Sequence, residues 1–574
     1  MNETFALSSL ALASLATLAA VLPLAHRRLQ LSAAKHPSLA GHVRMAKRIA
    51  AQVPGYAYDE TRFFNSDGAP APVVAQRRAG LQQLATLYRQ RFALSTAATA
   101  ETAAGLSDLQ FTGAYRVPFQ YSPYLRQNLR MPAVVAASSG VQVQDLDGNW
   151  LYDLAGSYGV NVFGHDFYKS CLAEGNARVA ALGPVLGVYH PCVADNVARL
   201  RRISGLDEVS FHMSGTEAVM QAVRLARYHT RRTHLVRFCG AYHGWWDGVQ
   251  PGLGNPVKPR HSHTLKEMDA TTLQVLRTRK DIACVLVNPL QALHPNQGAP
   301  ADSALLHSGR RAGYDRAAYT AWLQQLRQVC SQRGIVLIFD EVFMGFRLAP
   351  GGAQDYFGVR ADLVTYGKTL GGGLPVGVLC GRKHLMKRYR EDRPADLCFA
   401  RGTFNAHPCV MGAMQVFLER LDTPDVQAVY HAVDALWDGR AKLLNQRLTD
   451  AGLPVQVANL QSVWTVFYTA PSRYNWMLQF YLRAHGLALS WVGTGRLIFS
   501  LNYSAADFDA VARRFVAAAQ QMQADGWWWQ DAGLSDKSIR RGLLRELLAH
   551  RFQARLGQKK PGARCPACDA GTAG

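Results

Sequence analysis

Between about residues 170 and 421, helical stretches alternate with short, largely apolar runs at 235–238, 282–287, 335–339, 363–365 and 376–380. Strands covered on both faces read as continuous apolar runs, and their alternation with helices predicts a mostly parallel sheet in a large α/β domain. Ligands of such sheets bind at the carboxyl ends of the strands. Ahead of it, Val141 to Asp153 reads as two strands around the tight turn at Asp147-Gly148. From about Asp422 to Ala524, helix, strand and helix patterns predict a smaller α+β domain. The expected compact core is 131–525, with the large domain at about 165–421 and the small one at 131–164 and 422–525.

Outside the core lie three segments of different character. Residues 5–25 carry no charge and are followed by Arg27, Arg28, Lys35, Arg44, Lys47 and Arg48. At about 1.5 Å per residue that run just crosses a hydrocarbon core of about 30 Å. A single transmembrane helix is expected, with the bulk of the chain on the cytoplasmic side by the positive-inside rule. A signal sequence and a helix docked on the protein are the alternatives. Residues 26–130 form an extension to which no chemistry is assigned, and its Ser/Thr/Ala-rich part at 94–107 reads as a flexible joint.

The tail, 526–574, places Ile539, Leu543, Leu544, Leu547, Leu548, Phe552 and Leu556 at helical spacing among Lys537, Arg540, Arg541, Arg545, Arg551 and Arg555, after Trp527-Trp528-Trp529. Such a helix suits an anionic membrane surface, or equally a docked position with a solvated basic face.

Charge and cysteine usage narrow the setting. The 63 Lys and Arg against 41 Asp and Glu give a net +22, which suits phosphorylated ligands, anionic lipid or nucleic acid. No aromatic-basic module for reading bases accompanies it, so nucleic acid is not an expected partner. The ten cysteines are mostly isolated, which argues against a disulfide framework. Cys565 and Cys568 have the spacing of half a zinc site or a redox pair, but nothing nearby completes it, and no metal is expected.

The chemistry concentrates where the sheet edge should be. The 335–339 run ends in Asp340-Glu341, and Lys368 follows the next run in a glycine-rich loop, Thr365-Tyr-Gly-Lys368-Thr-Leu-Gly-Gly-Gly373. Upstream, Ser214, Gly215 and Thr216 precede a helical stretch, where free N–H groups and the dipole's positive end hold a phosphate. Tyr242 and His243 follow another strand. A phosphate cradle, a flat ring, a carboxylate and a lysine together describe a holder for an aromatic phosphate with a cationic nitrogen and an aldehyde. An ATPase reading of Gly367-Lys368-Thr369 fails, because Asp362 stands where a phosphate loop needs its first glycine.

These segments resemble the class III aminotransferases that depend on pyridoxal 5'-phosphate (PLP), most closely the glutamate-1-semialdehyde aminomutase-like branch, including aminotransferase domains embedded in polyketide and peptide synthetases. The likeness runs from about residue 140 to 520. It rests on Gly156-Ser-Tyr-Gly159 with Gly164-His165, Ser214-Gly-Thr-Glu-Ala218 to Arg227, Tyr242-His243-Gly244, Phe339-Asp-Glu-Val342, Lys368 with its glycines, and Arg401-Gly-Thr-Phe-Asn405.

The resemblance implies fold type I, the aspartate aminotransferase fold, and a homodimer. It also implies roles: Lys368 carries the cofactor covalently, Asp340 bonds its ring nitrogen, Tyr242 stacks on the ring, with His243 beside it, and Val342 packs the other face. Gly215 and Thr216, with Ser214, hold the phosphate, and Thr403 joins them from the partner subunit. Transfer of an amino group from a small-molecule donor to a carbonyl acceptor is the implied reaction.

Departures bear on the substrate. Asn288-Pro289 stands where many members have Glu-Pro, Met213 where Asn is frequent, and Tyr158 where Trp is frequent, and Phe404-Asn405-Ala406-His407 departs from the smaller residues usual there. Tyr158 and Asn288 are therefore the candidate substrate wall, and glutamate semialdehyde is not the expected substrate. Arg126, Arg130 and Arg401 are the candidates for a carboxylate clamp. With a membrane segment and an amphipathic tail, the expected acceptor is a lipid-derived or carrier-bound aldehyde or ketone. An intramolecular amino shift and a cofactor-free membrane scaffold are the competing readings.

Overall fold

The computed structural model describes residues 19, 21–36, 41–250, 252–257, 260–293, 312–490 and 495–557. Its centre is a seven-stranded sheet in the order β4-β10-β9-β8-β7-β5-β6. These strands are β4 (Glu208–His212), β5 (His234–Phe238), β6 (Ser262–Leu265), β7 (Ile282–Val287), β8 (Val336–Asp340), β9 (Leu363–Gly367) and β10 (Gly377–Gly381). Every residue of β7, β8, β9 and β10 is buried, which is why they read as apolar runs. From β9 through β6 neighbouring strands are parallel, whereas β10 runs antiparallel to both β9 and β4.

Two smaller sheets complete the architecture. One joins β1 (Val135–Ser139), β2 (Gln142–Asp145), β3 (Trp150–Asp153) and β13 (Leu487–Ala488); the other joins β11 (Val455–Leu460), β12 (Val463–Tyr468) and β14 (Arg496–Ile498). The β2–β3 hairpin pairs Val143 with Leu151, so its loop is the three residues 146–148, one longer than the tight two-residue Asp-Gly turn expected, with Gly148 in the left-handed region at φ 81°.

The stretch at 94–107 is not a flexible joint. Residues Ala93–Gly105 form a helix, and Asp147 from the β2–β3 turn caps it by accepting from the N–H groups of Leu94 (2.8 Å) and Ser95 (2.9 Å) and from the Ser95 hydroxyl (2.6 Å). An alanine-rich segment has high helix propensity, and a capped amino end removes the alternative that its serines and threonines would otherwise favour.

The extension is part of the core. Arg77, fully buried on the helix α1 (Ala71–Arg91), pairs with Asp67 at 2.7 Å, lies 4.4 Å from the centroid of the Tyr474 ring, and donates to the Gly526 carbonyl. Trp527 and Trp528 correct a second expectation. Instead of flanking a membrane helix they are buried, donating to the Tyr481 hydroxyl (2.8 Å) and to Asn475 Oδ1 (2.9 Å). A buried indole needs a partner for its N–H, and both have one.

The tail helix α2 (Asp536–Gly557) docks on this extension. Glu546 accepts from Arg473 (2.9 Å), Arg62 (2.5 Å) and the Tyr58 hydroxyl, and His550 stacks on Tyr56 with centroids 4.2 Å apart. Ile539 is buried and Leu543 packs against the core, whereas Leu544, Leu548, Phe552 and Leu556 are exposed on the opposite face. Burial opposes ionisation of Glu546, but the bond and charge of Arg473, with Tyr58 and Arg62, outweigh it and hold the carboxyl below its ordinary value. A depressed folded value contributes stability that is present above the unfolded value and lost as pH falls through the folded one. Acidification below the ordinary glutamate range therefore weakens the hold on α2. Glu546→Gln should do the same at neutral pH, costing about 3 kcal/mol of local stability because Arg473 is left buried without its counter-charge. Amide hydrogen exchange across 536–557 checks both.

Among the described residues no helix is long and apolar enough to cross a membrane. Residues 21–33 are helical, with Val21, Leu22, Leu24 and Leu29 exposed. Most of the apolar 5–25 run, and Cys565 and Cys568, lie outside the described residues.

Candidate active site

The carboxyl ends of β8 and β9 meet the amino end of the helix α3 (Gly215–Thr230). Asp340, the last residue of β8, is buried and pairs in register with Thr365 of β9, whose hydroxyl donates to Asp340 Oδ1 at 3.2 Å. The Val342 N–H donates to the same oxygen at 3.2 Å, and His243 Nδ1 lies 2.6 Å from Oδ2. This shell fixes one carboxylate at the carboxyl edge of the sheet. The neighbouring acid faces the protein instead. Glu341 is buried and accepts from the Ala353 (2.6 Å) and Gln354 (3.2 Å) N–H groups, and burial raises it to about 8.

Lys368 follows β9 directly, in the left-handed region at φ 50°. That conformation costs a non-glycine residue about 1–2 kcal/mol and persists where the surroundings impose it. Its Nζ sits 5.7 Å from the centroid of the Phe343 ring and has no hydrogen bond or ion pair among the described residues. Burial lowers the amine below its ordinary value; Asp340 opposes this and Arg347 adds to it. The amine therefore reaches its neutral, nucleophilic form at lower pH than a surface lysine. Uptake of an aldehyde cofactor by apoprotein should rise with pH through an inflection below the ordinary lysine range, read by stopped-flow absorbance.

The phosphate-sized corner lies across from these groups. Ser214 caps α3, its hydroxyl accepting from the Glu217 N–H at 3.3 Å. A Cβ on Gly215 would lie 2.6 Å from Val342 Cγ1, so Val342 packs directly against the amino end of α3. Thr216 packs against Gly244, whose φ of 95° lets the loop after Tyr242 and His243 pass close to the helix. Tyr242 presents an exposed ring at this edge, and His243 Nε2 is buried with no hydrogen-bond partner.

The structure thus brings Asp340, His243, Lys368, Val342, Ser214, Gly215, Thr216 and Tyr242 together. Thr403 is exposed on a turn. Asn288 is spent on main chain: its Nδ2 donates to the Tyr242 carbonyl (3.2 Å) and its Oδ1 accepts from the Leu290 N–H (3.1 Å), so it positions the Tyr242 loop. Tyr158 is half-exposed in a left-handed turn whose next residue, Gly159, packs on Phe343. Arg126, Arg130 and Arg401 each donate to a backbone carbonyl, of Ser122, Arg126 and Gly187.

Three contributors escaped the sequence. Thr365 orients Asp340. Arg347, fully buried, donates to Ser462 Oγ (2.8 Å) and to the carbonyls of Phe499 (2.6 Å) and Asn161 (3.1 Å), stitching three segments behind the lysine. Arg116, from the extension, is close enough to Tyr158 to interact with it electrostatically. Only Thr365 had a local signal, two residues before the glycine preceding Lys368.

The donor set fits PLP. A partly buried amine with no hydrogen-bond or ion-pair partner among the described residues, an oriented carboxylate, an exposed aromatic ring and a helix amino end with glycine at its first position match the aldehyde, ring nitrogen, ring and phosphate.

Comparison with known proteins agrees with this fit. The family model for class-III aminotransferases matches residues 124–516. A glutamate-1-semialdehyde 2,1-aminomutase of Alkaliphilus oremlandii is 33% identical over 344 residues, covering 56% of this chain and 74% of that protein. A transaminase solved with PLP bound is 27% identical with a TM-score of 0.58, covering 69% of this chain and 92% of that one. A glutamate-1-semialdehyde aminomutase from Pseudomonas aeruginosa shares the fold, at 20% identity and a TM-score of 0.62 over 78% of this chain and 99% of that one. With its family model matched over residues 124–516, about two thirds of the chain, and a site that fits the cofactor, this chain belongs to the class-III aminotransferases and is a PLP-dependent enzyme.

Proposed function

We propose that the protein moves an amino group from a small-molecule donor to a lipid-derived or carrier-bound aldehyde or ketone, as a homodimer held at the cytoplasmic face of a membrane. The observation that carries the amino-transfer chemistry is the unpartnered, partly buried Lys368 amine beside the oriented Asp340 carboxylate.

Bound PLP supplies an electron sink for the carbon that gives up its proton. Asp340 keeps the ring nitrogen protonated by charge pairing, and His243 and Thr365 keep the carboxylate in place. With PLP bound, the Lys368 amine would take a proton from the substrate carbon and return it, as general base and then acid. The first N–H groups of α3 and the Thr216 hydroxyl anchor the phosphate, with Ser214 capping the helix that presents them. Tyr242 and Val342 would flank the cofactor ring, and the exposed Thr403 would add to the phosphate site of a partner subunit.

The membrane part draws on the uncharged 5–25 run and on the outward face of α2, where Leu544, Leu548, Phe552 and Leu556 are exposed among Arg541, Arg545 and Arg551. The one glutamate of that helix, Glu546, is turned inward to Arg473. In lipid nanodiscs containing phosphatidylglycerol, exchange across 536–557 should slow relative to phosphatidylcholine discs. Equal exchange in both would remove the tail from the membrane surface.

The substrate is tested on detergent-solubilised protein loaded with PLP, offered alanine or glutamate as donor and carbonyl compounds of increasing chain length. Long-chain acceptors should be aminated faster than short soluble ones; the reverse order would sink the lipid assignment. The aminomutase relatives favour a second reading, an intramolecular shift. Turnover of an amino-carbonyl substrate with no separate donor would establish it.

A further inference from the structure

Helix α3 has a second charged end. From about 14 to about 24 Å beyond Gly215 along the helix direction, at about 1.5 Å per residue, Arg224, Arg227 and Arg231, with the adjoining Arg232, line a cleft of about 450 Å³ with His261 and Leu397. Backbone carbonyls hold the guanidiniums in place. Arg227 donates to the Thr233 (2.8 Å) and His261 (3.2 Å) carbonyls, and Arg224 to that of Phe399 (2.7 Å). Arg232 donates to those of Ile282 (3.2 Å), Arg333 (2.9 Å) and Gly334 (3.1 Å).

Neutral acceptors orient a guanidinium without cancelling its charge. Among the described residues, Arg224, Arg227 and Arg232 have no carboxylate partner, and the acid that Arg231 uses, Asp396, also serves Arg390 at 3.0 Å. The carboxyl end of α3 offsets about half a charge, far less than this group carries. Burial already lowers Arg227, the direction expected of a cation held without a counter-ion. Each arginine also keeps unused donors in the fork geometry that fits phosphate oxygens.

We propose that this cleft is a second anion site, separate from the Gly215 cradle, that binds the phosphate group of a phosphorylated ligand, either a soluble phosphate ester or a phospholipid headgroup. Its volume suits one small ligand, and Leu397 gives it an apolar wall.

The test uses full-length holoenzyme reduced with borohydride, so that bound cofactor fills the cradle. Calorimetric titration with pyrophosphate and, in a second arm, with short-chain water-soluble phosphatidic acid is compared with chloride at equal ionic strength. Saturable binding should weaken about tenfold in Arg224→Gln and further in the Arg224→Gln/Arg227→Gln pair. Thermal unfolding controls for folding, and Arg224→Gln serves if the pair is unstable. Loss in the pyrophosphate arm identifies a soluble ligand, and loss in the lipid arm alone a headgroup. Binding no better than chloride, or unchanged in the variants, overturns the site.

Discussion

Lys368→Ala should abolish the visible absorbance band that borohydride traps in the wild-type protein, and lower amino transfer by at least about 10³-fold. Two losses combine there. The covalent attachment goes, and so does the amine that stands beside Asp340 to carry a proton at the reacting carbon. The fold should survive, because alanine leaves no buried partner stranded: Nζ has none among the described residues. Folded protein that takes up PLP noncovalently and is nearly inactive is the expected result. A wild-type protein that is colourless after PLP addition would overturn the enzymatic assignment of this site.

Asp340→Asn should leave cofactor attachment intact while lowering turnover by at least about 10²-fold, the scale of losing one preorganised electrostatic partner. The amide keeps the carboxylate's shape and can still accept from Thr365 and the Val342 N–H, but it cannot sustain a proton on the ring nitrogen by charge. His243 Nδ1, 2.6 Å from Oδ2, loses an anionic partner inside the core. The signature is a changed cofactor spectrum with trapping at Lys368 preserved, and kcat falling more than substrate affinity. Equal activity in Asp340→Asn would mean that the carboxylate supports only the fold.

Much of this site was legible in the chain because its signals are short-range. Strands buried on both faces must be apolar throughout, so β7, β8 and β9 announce themselves, and the residues just beyond them, Asp340 and Lys368, fall at the sheet's carboxyl edge by topology alone. The capped amino end of α3 is likewise local. Strands β4 and β6 carry no such signal: each has a half-buried pattern with polar residues, and β4 is placed by its antiparallel pairing with β10.

What the tertiary structure alone decided depends on partners far away in sequence. Asp147 turns an apparent joint at 94–107 into a capped helix. Glu546 reaches Tyr58 across nearly the whole chain and makes the extension and tail one unit. Trp527 and Trp528 become core because Tyr481 and Asn475 await their N–H groups, and Asn288 supports the Tyr242 loop through its main-chain carbonyl. Hydrophobic periodicity and turn chemistry are written in neighbouring residues, so the chain itself specifies elements and the motif at their ends. Whether a polar or aromatic side chain faces solvent, ligand or core is set by what the fold brings opposite it, and no local pattern carries that information.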